Sequence, residues 1–262
     1  LNLPNGQNEF VDSVLTLMKP TVIIIESGSI VNLPWLKHAN QNQATIWAGY
    51  GGMRGGAALG KLIFGIGGAN FAGKMPLAWP TQAELDLQKF KDSAGVAVQQ
   101  MDYFFGYRLY DNKKAQGQSV DLVFPYGYGL SYSTFEYSNL VVPCTTAAKN
   151  GIVNISVDIK NTSTVDGDEV AMLFVKPPPK PAGITGQRPV KELKSFARVS
   201  VPAGQTVKAQ LPVRIRDLRR WEGDAKGHWI IDSGAYTILV GKNADDAETS
   251  TATQAPLMVA GD

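Results

Sequence analysis

The chain has 262 residues, room for one large domain or two ordinary ones, and its 44% hydrophobic and 18% charged residues exclude disorder, collagen and a simple coiled coil. The 25 Lys+Arg against 23 Asp+Glu are too balanced for a protein built to hold phosphate backbones, so no nucleic-acid partner is expected. One cysteine, Cys144, excludes an internal disulfide framework and cysteine-rich zinc sites, and two histidines, His38 and His228, supply neither metal clusters nor a Ser-His-Asp triad well. No metal and no cofactor are expected. No apolar run approaches the roughly 18 residues of a membrane span, so no membrane partner is expected either.

The first third reads as α/β. Phe10, Val14, Leu15, Leu17 and Met18 recur at near-helical spacing, and Pro20 limits the helix. Thr21-Val22-Ile23-Ile24-Ile25 has no polar alternation, which predicts a parallel strand covered on both faces. A helical turn over about 33–38 leads to a second apolar run, Ala44 to Ala48, then to the turn Gly49-Tyr50-Gly51-Gly52 and a helix over about 53–64. Two strands cannot bury their own edges, so further strands are expected beyond this chain.

Residues 65–145 are rich in Gly, Pro and aromatics and read as an extended connector lying on both flanking domains. From residue 151 the pattern becomes antiparallel β. Val153, Ile155, Val157 and Ile159 alternate with polar residues, and further strands are predicted at 170–175, 193–201, 206–213 and 235–240. This spacing suggests an immunoglobulin-like or fibronectin type III-like sandwich, in which Tyr236 is either a tyrosine-corner residue or an ordinary core tyrosine.

Few residues offer chemistry. The stretch GYGGMRGG between a strand and a helix fits neither GxGxxG nor GxxxxGK[ST], so it reads as a tight turn rather than a phosphate loop. Glu26, Ser27 and Gly28 follow the apolar strand at its carboxyl end, where α/β sheets bind ligands, and are the substrate-cleft candidates. A solvated or backbone-capping carboxylate is the preferred reading of Glu26 itself, and no second carboxylate is evident as its partner. Asp102, Tyr107, Arg108 and Asp111 could hold a sugar, but a buried Arg–Asp pair between domains is the preferred reading. His38 is assigned to a helix end or to solvent, and His228 to a turn between strands. Asn154 and Asn161 each open a glycosylation sequon, and Pro177 to Pro181 reads as a stiff loop.

Several separated motifs coincide in one family. Leu3-Pro4-Asn5-Gly6-Gln7-Asn8-Glu9, Val22 to Gly28 with Leu33-Pro34-Trp35, Trp47 to Gly65, and Gly73-Lys74-Met75-Pro76-Leu77-Ala78-Trp79-Pro80 resemble glycoside hydrolase family 3 β-glucosidases. So do Tyr103 to Asp111 and Phe124 to Tyr132, while Asn161 to Val170 and Arg188 to Phe196 resemble that family's C-terminal fibronectin type III-like domain. The resemblance implies the last part of an α/β sandwich at 1–90, a connector at 91–145 and a fibronectin type III-like β-sandwich at 146–262. It implies a retaining hydrolase that removes terminal β-linked glucose, with an Asp nucleophile on an N-terminal (β/α)8 barrel and a Glu acid/base on the sandwich. The Glu position lies just upstream of Leu1–Gln7, so no catalytic residue is assigned in this chain, and the chain alone is expected to be inactive.

Its expected partners are the missing barrel, the remainder of the sandwich and a β-glucoside substrate, with a homodimer left open. The start Leu1-Asn2-Leu3, without Met or leader, fits that expectation. Gly51-Gly52-Met53-Arg54-Gly55-Gly56 departs from the family's Gly-Gln-Glu-Gly-Gly run, replacing a carboxylate by Met and Arg. The resemblance also implies a periplasmic or secreted enzyme. A carbohydrate-binding module and a nucleotide-binding α/β protein are the alternatives.

Overall fold

Thr21-Val22-Ile23-Ile24-Ile25 is the strand β1 (Thr21–Ile25), and it pairs in parallel with β2 (Gln43–Trp47), Thr21 opposite Gln43 and Ile25 opposite Trp47. The computed structural model describes residues 3–38, 41–86, 90–93, 96–99, 103–143, 146–181, 183–184, 186–223, 226–250 and 253–262. Asp102, Cys144 and the side chain of His38 lie outside the described residues.

By contacts the chain divides into one unit of residues 1–69, 79–88 and 121–123 and another of 70–78, 89–120 and 124–262. In the first, helix α1 (Gln7–Leu15) starts after the left-handed Gly6 and is followed by Met18 at φ 52° and Pro20, so the helix cannot continue. Helix α2 (Gly55–Phe64) begins where Gly51 packs on Gly55; a Cβ on Gly51 would stand 2.9 Å from the Gly55 Cα. It ends at Gly65, left-handed at φ 62°.

The expectation of a strand covered on both faces is corrected. Val22 and Ile24 are exposed, α2 has no buried residue, and Phe10, Leu17, Met18 and Phe64 lie open to solvent. The parallel sheet has two strands, and among the described residues its neighbours bury Ile25 and leave Val22 and Ile24 exposed.

The second unit holds a β-sandwich. Its strands are β3 (Phe135–Val141), β4 (Thr146–Ala147), β5 (Ile152–Asn161), β6 (Gly167–Lys176), β7 (Glu192–Val201), β8 (Thr206–Arg214), β9 (Arg220–Glu222), β10 (His228–Ile230), β11 (Gly234–Gly241) and β12 (Gln254–Val259). One sheet runs β7-β6-β11-β12-β4 and the other β8-β5-β3, while β9 and β10 form a separate hairpin. All pairings in the two sheets are antiparallel except β12 with β4.

The period of two decides what faces inward. Val153, Ile155, Val157 and Ile159 of β5 meet Ala171, Leu173 and Val175 of β6 and Ile238 and Val240 of β11 in one core. Strand β6 is buried on its other face too, where Met172 and Phe174 pack with Tyr107, Tyr126 and Leu239. That second layer explains why Ala171 to Val175 is apolar without alternation.

The outer layer includes helix α3 (Tyr107–Ala115), which corrects the reading of 65–145 as extended chain. Its sequence YRLYDNKKA is polar and only Tyr110 and Asp111 are buried, so no apolar stripe announced it. His228 is a second correction: it is the first residue of β10, not part of the turn. Tyr236 is buried and its hydroxyl donates to the Asp232 carbonyl at 3.0 Å, the bond back to upstream backbone that a tyrosine corner makes.

Candidate functional site

The loop after β1 is held by tryptophans. Trp47, at the end of β2, donates its indole N–H to the Ser27 carbonyl at 3.0 Å and to Ser27 Oγ at 3.1 Å, and Ser27 Oγ donates to the Ser29 carbonyl at 2.7 Å. The Trp79 ring meets Trp47 edge-on at 5.8 Å and donates to the Val31 carbonyl at 2.9 Å. Gly28 lies under Tyr50, and a Cβ there would stand 2.8 Å from the ring. The two loops at the carboxyl ends of β1 and β2 therefore support each other, and Ser27 is spent on that support.

Glu26 points elsewhere. It is exposed and lines an open groove of about 680 Å³ with Gln7, Ile24, Gly56, Leu59, Gly60 and Ile63. Ile24 and Glu26 are two apart and share one face of β1, while Gly56, Leu59, Gly60 and Ile63 are one face of α2. Among the described residues lining this groove Glu26 is the single carboxylate. Retaining glycoside hydrolysis needs two, about 5–5.5 Å apart. The described lining of the groove does not supply the carboxylate pair that this displacement needs.

The other sequence candidates are structural members of the second unit. Arg108 bonds Glu192 at 3.2 Å and lies over the Phe105 ring at 4.6 Å, and Asp111 pairs with Lys191 at 2.8 Å. The expected Arg–Asp pair is corrected for Asp111: Arg108 and Asp111, three apart on α3, take different partners on β7 and just before it, while Asp102 lies outside the described residues. Tyr107 accepts the Leu193 backbone N–H at 2.9 Å, and burial pushes its hydroxyl up to about 12. Lys191 is fully buried, reaches Glu248 at 3.1 Å as well, and faces the Phe174 ring at 5.9 Å. Burial raises the Asp111 carboxyl above its usual range although Lys191 opposes the shift.

Of the two sequons, Asn154 is exposed on β5, whereas Asn161 is fully buried and donates to the Val165 and Val201 carbonyls at 2.8 and 2.9 Å. Sequence reading also missed an aromatic pair on the hairpin: Trp221 and Trp229 face each other across β9 and β10, rings 5.5 Å apart, both substantially exposed. Two tryptophans flanking a Gly-rich turn were the available signal. Among the described residues no three metal-ligating side chains gather in one place, and no helix is long and apolar enough to cross a membrane.

Two family models match the chain, the glycosyl hydrolase family 3 C-terminal domain over residues 1–132 and the fibronectin type III-like domain over 169–244. The chain belongs to glycosyl hydrolase family 3. It is similar to the probable beta-glucosidase I of Aspergillus fumigatus, with 32% identity over 96% of this chain and 29% of that protein. It also resembles the beta-glucosidase of Kluyveromyces marxianus, solved in complex with glucose, at 32% identity and a TM-score of 0.80, covering 98% of this chain and 28% of that one. The family 3 beta-glucosidase of Bifidobacterium adolescentis gives 28% identity and a TM-score of 0.81, over 100% of this chain and 36% of that one. The chain therefore spans about three tenths of the length of the curated relatives it matches.

Proposed function

We infer that the chain is the C-terminal part of a retaining family 3 β-glucosidase that releases terminal β-linked glucose from oligosaccharides. It supports the cleft while both catalytic carboxylates come from the barrel and the remainder of the sandwich. The observation that carries this reading is the half-built first unit: a two-stranded parallel sheet whose outer face, Val22 and Ile24, lies open beside the exposed Phe10 and Phe64. Apolar surface of that kind is expected to lie against further strands and helices. In this arrangement residues 1–90 complete the sandwich, 91–145 connect, and 146–262 form the fibronectin-like domain, with β3 at the end of the connector joining its three-stranded sheet. Glu26, Ser27 and Gly28 then stand at the rim, with Ser27 holding the loop and Glu26 free to bond a sugar hydroxyl.

The test is a chimera in which this chain replaces the matching C-terminal part of the Kluyveromyces marxianus enzyme. A folded chimera should release chromophore from an aryl β-glucoside; a folded but inactive one counts against the reading. A second reading, a sugar-binding surface, is favoured by the exposed Trp221–Trp229 pair, because pyranose rings stack on open indoles. Titration with cello-oligosaccharides should then quench tryptophan fluorescence, and the quench should vanish in Trp229→Ala.

A further inference from the structure

A groove of about 1230 Å³ in the second unit has no assigned role. One wall is the Tyr103 ring and the face of α3 that carries Asn112 and Gln116, four residues apart; the opposite wall is the proline run 177–179. Lys176 and Lys180 stand at either end of that run, both exposed, and neither meets a carboxylate among the described residues. Arg188 lies deeper, with its side chain 7% exposed. Its Nη2 is paired with the buried Asp232 at 3.0 Å. With Arg188 paired, Lys176 and Lys180 are the cations without a carboxylate among the described residues lining the groove, and no Asp or Glu lines it. This excess exists in a chain whose charges otherwise nearly cancel.

We propose that this groove binds an acidic glycan, a short oligosaccharide carrying a uronic acid. The cations without a carboxylate select an anion. The side-chain amides of Asn112 and Gln116 both donate and accept, as a ligand rich in hydroxyls requires, and the half-exposed Tyr103 ring offers a face for a pyranose. The proline run fixes the backbone between Lys176 and Lys180, so the spacing of the two residues is set before binding. Binding there does not require that the chain complete a β-glucosidase.

Calorimetric titration of the 262-residue chain with a glucuronate-bearing xylo-oligosaccharide, with its neutral counterpart and with oligoglutamate tests the proposal. The acidic sugar should bind saturably, at least about tenfold tighter than the neutral one. Its affinity should fall with salt and drop about tenfold in Lys176→Gln/Lys180→Gln at unchanged Tm. Gln116→Ala should weaken the sugar and leave oligoglutamate unaffected. No saturable binding, equal affinity for the neutral sugar, or tighter binding of oligoglutamate would each overturn it, the last in favour of an acidic peptide.

Discussion

Lys191 is the residue on which the second unit's interior is most exposed to a single change. A buried ammonium is costly to desolvate, and here Asp111 at 2.8 Å and Glu248 at 3.1 Å compensate it. Lys191→Met strands the buried Asp111 carboxylate and should lower stability by about 3–5 kcal/mol in urea unfolding. Replacing Asp111 by Leu as well should recover most of that loss, and failure to recover would show that the pair is not what holds the site. Asn161 offers a second check. Its amide satisfies two buried carbonyls, so Asn161→Ala should cost about 1–3 kcal/mol. Intact mass after expression in a glycosylating host should place no glycan on it.

Surface carboxylates set the acid limb. Asp168 is held below the usual carboxylate range by the Ser200 hydroxyl and then by Arg198, and Asp158 by Lys208 and Asn139. A depressed native value means the unfolded chain takes up protons first as pH falls. Their stabilisation is complete above about pH 4–5 and is lost as pH drops through their lowered values. A Tm that holds steady down to pH 5 and declines below pH 4 is expected, with a shallower decline in Asp168→Asn.

Among the elements, β6 works hardest because both its faces are covered. Phe174 is fully buried on the face away from the sandwich, against Tyr107 and Tyr126, so Phe174→Ala should cost about 3–5 kcal/mol and loosen α3 as well. Strand β1 is the opposite case. Its exposed Val22 and Ile24 support nothing in this chain, so Val22→Thr/Ile24→Thr should leave Tm unchanged and reduce self-association in sedimentation.

The same contrast explains what could be read in advance. Strands β5 to β8 and β11 follow a strict alternation or an unbroken apolar run, and their limits were legible within about a residue, except the start of β6, which begins three residues earlier at Gly167. Strand β3 was not, although Phe135 and Tyr137 alternate, because Asn139 at φ 51° bulges the strand and shifts the period before Val141. Helix α3 was hidden because its burial rests on Tyr110 and Asp111, an aromatic and a paired charge, rather than on aliphatic spacing. The hairpin β9–β10 has three-residue strands, too short for a pattern to emerge.

For the molecule as a whole, the family was legible from motifs that the structure shows to be local devices: the Ser27 loop tied by Trp47, the Gly51 contact on Gly55, the buried Asn161. The partners of Arg108 and Asp111 were not legible, since both are supplied from more than 70 residues away along the chain. The chain folds a complete β-sandwich and a half-covered parallel pair, and Glu26 stands in its groove without a second carboxylate. On that arrangement rests the claim that this stretch supports a hydrolase without performing the hydrolysis. The direct measurement is release of 4-nitrophenol from its β-glucoside by the purified 262-residue chain, with Glu26→Gln run in parallel. The account predicts no turnover above the blank for either protein; turnover that follows the chain through purification and disappears in Glu26→Gln would contradict it.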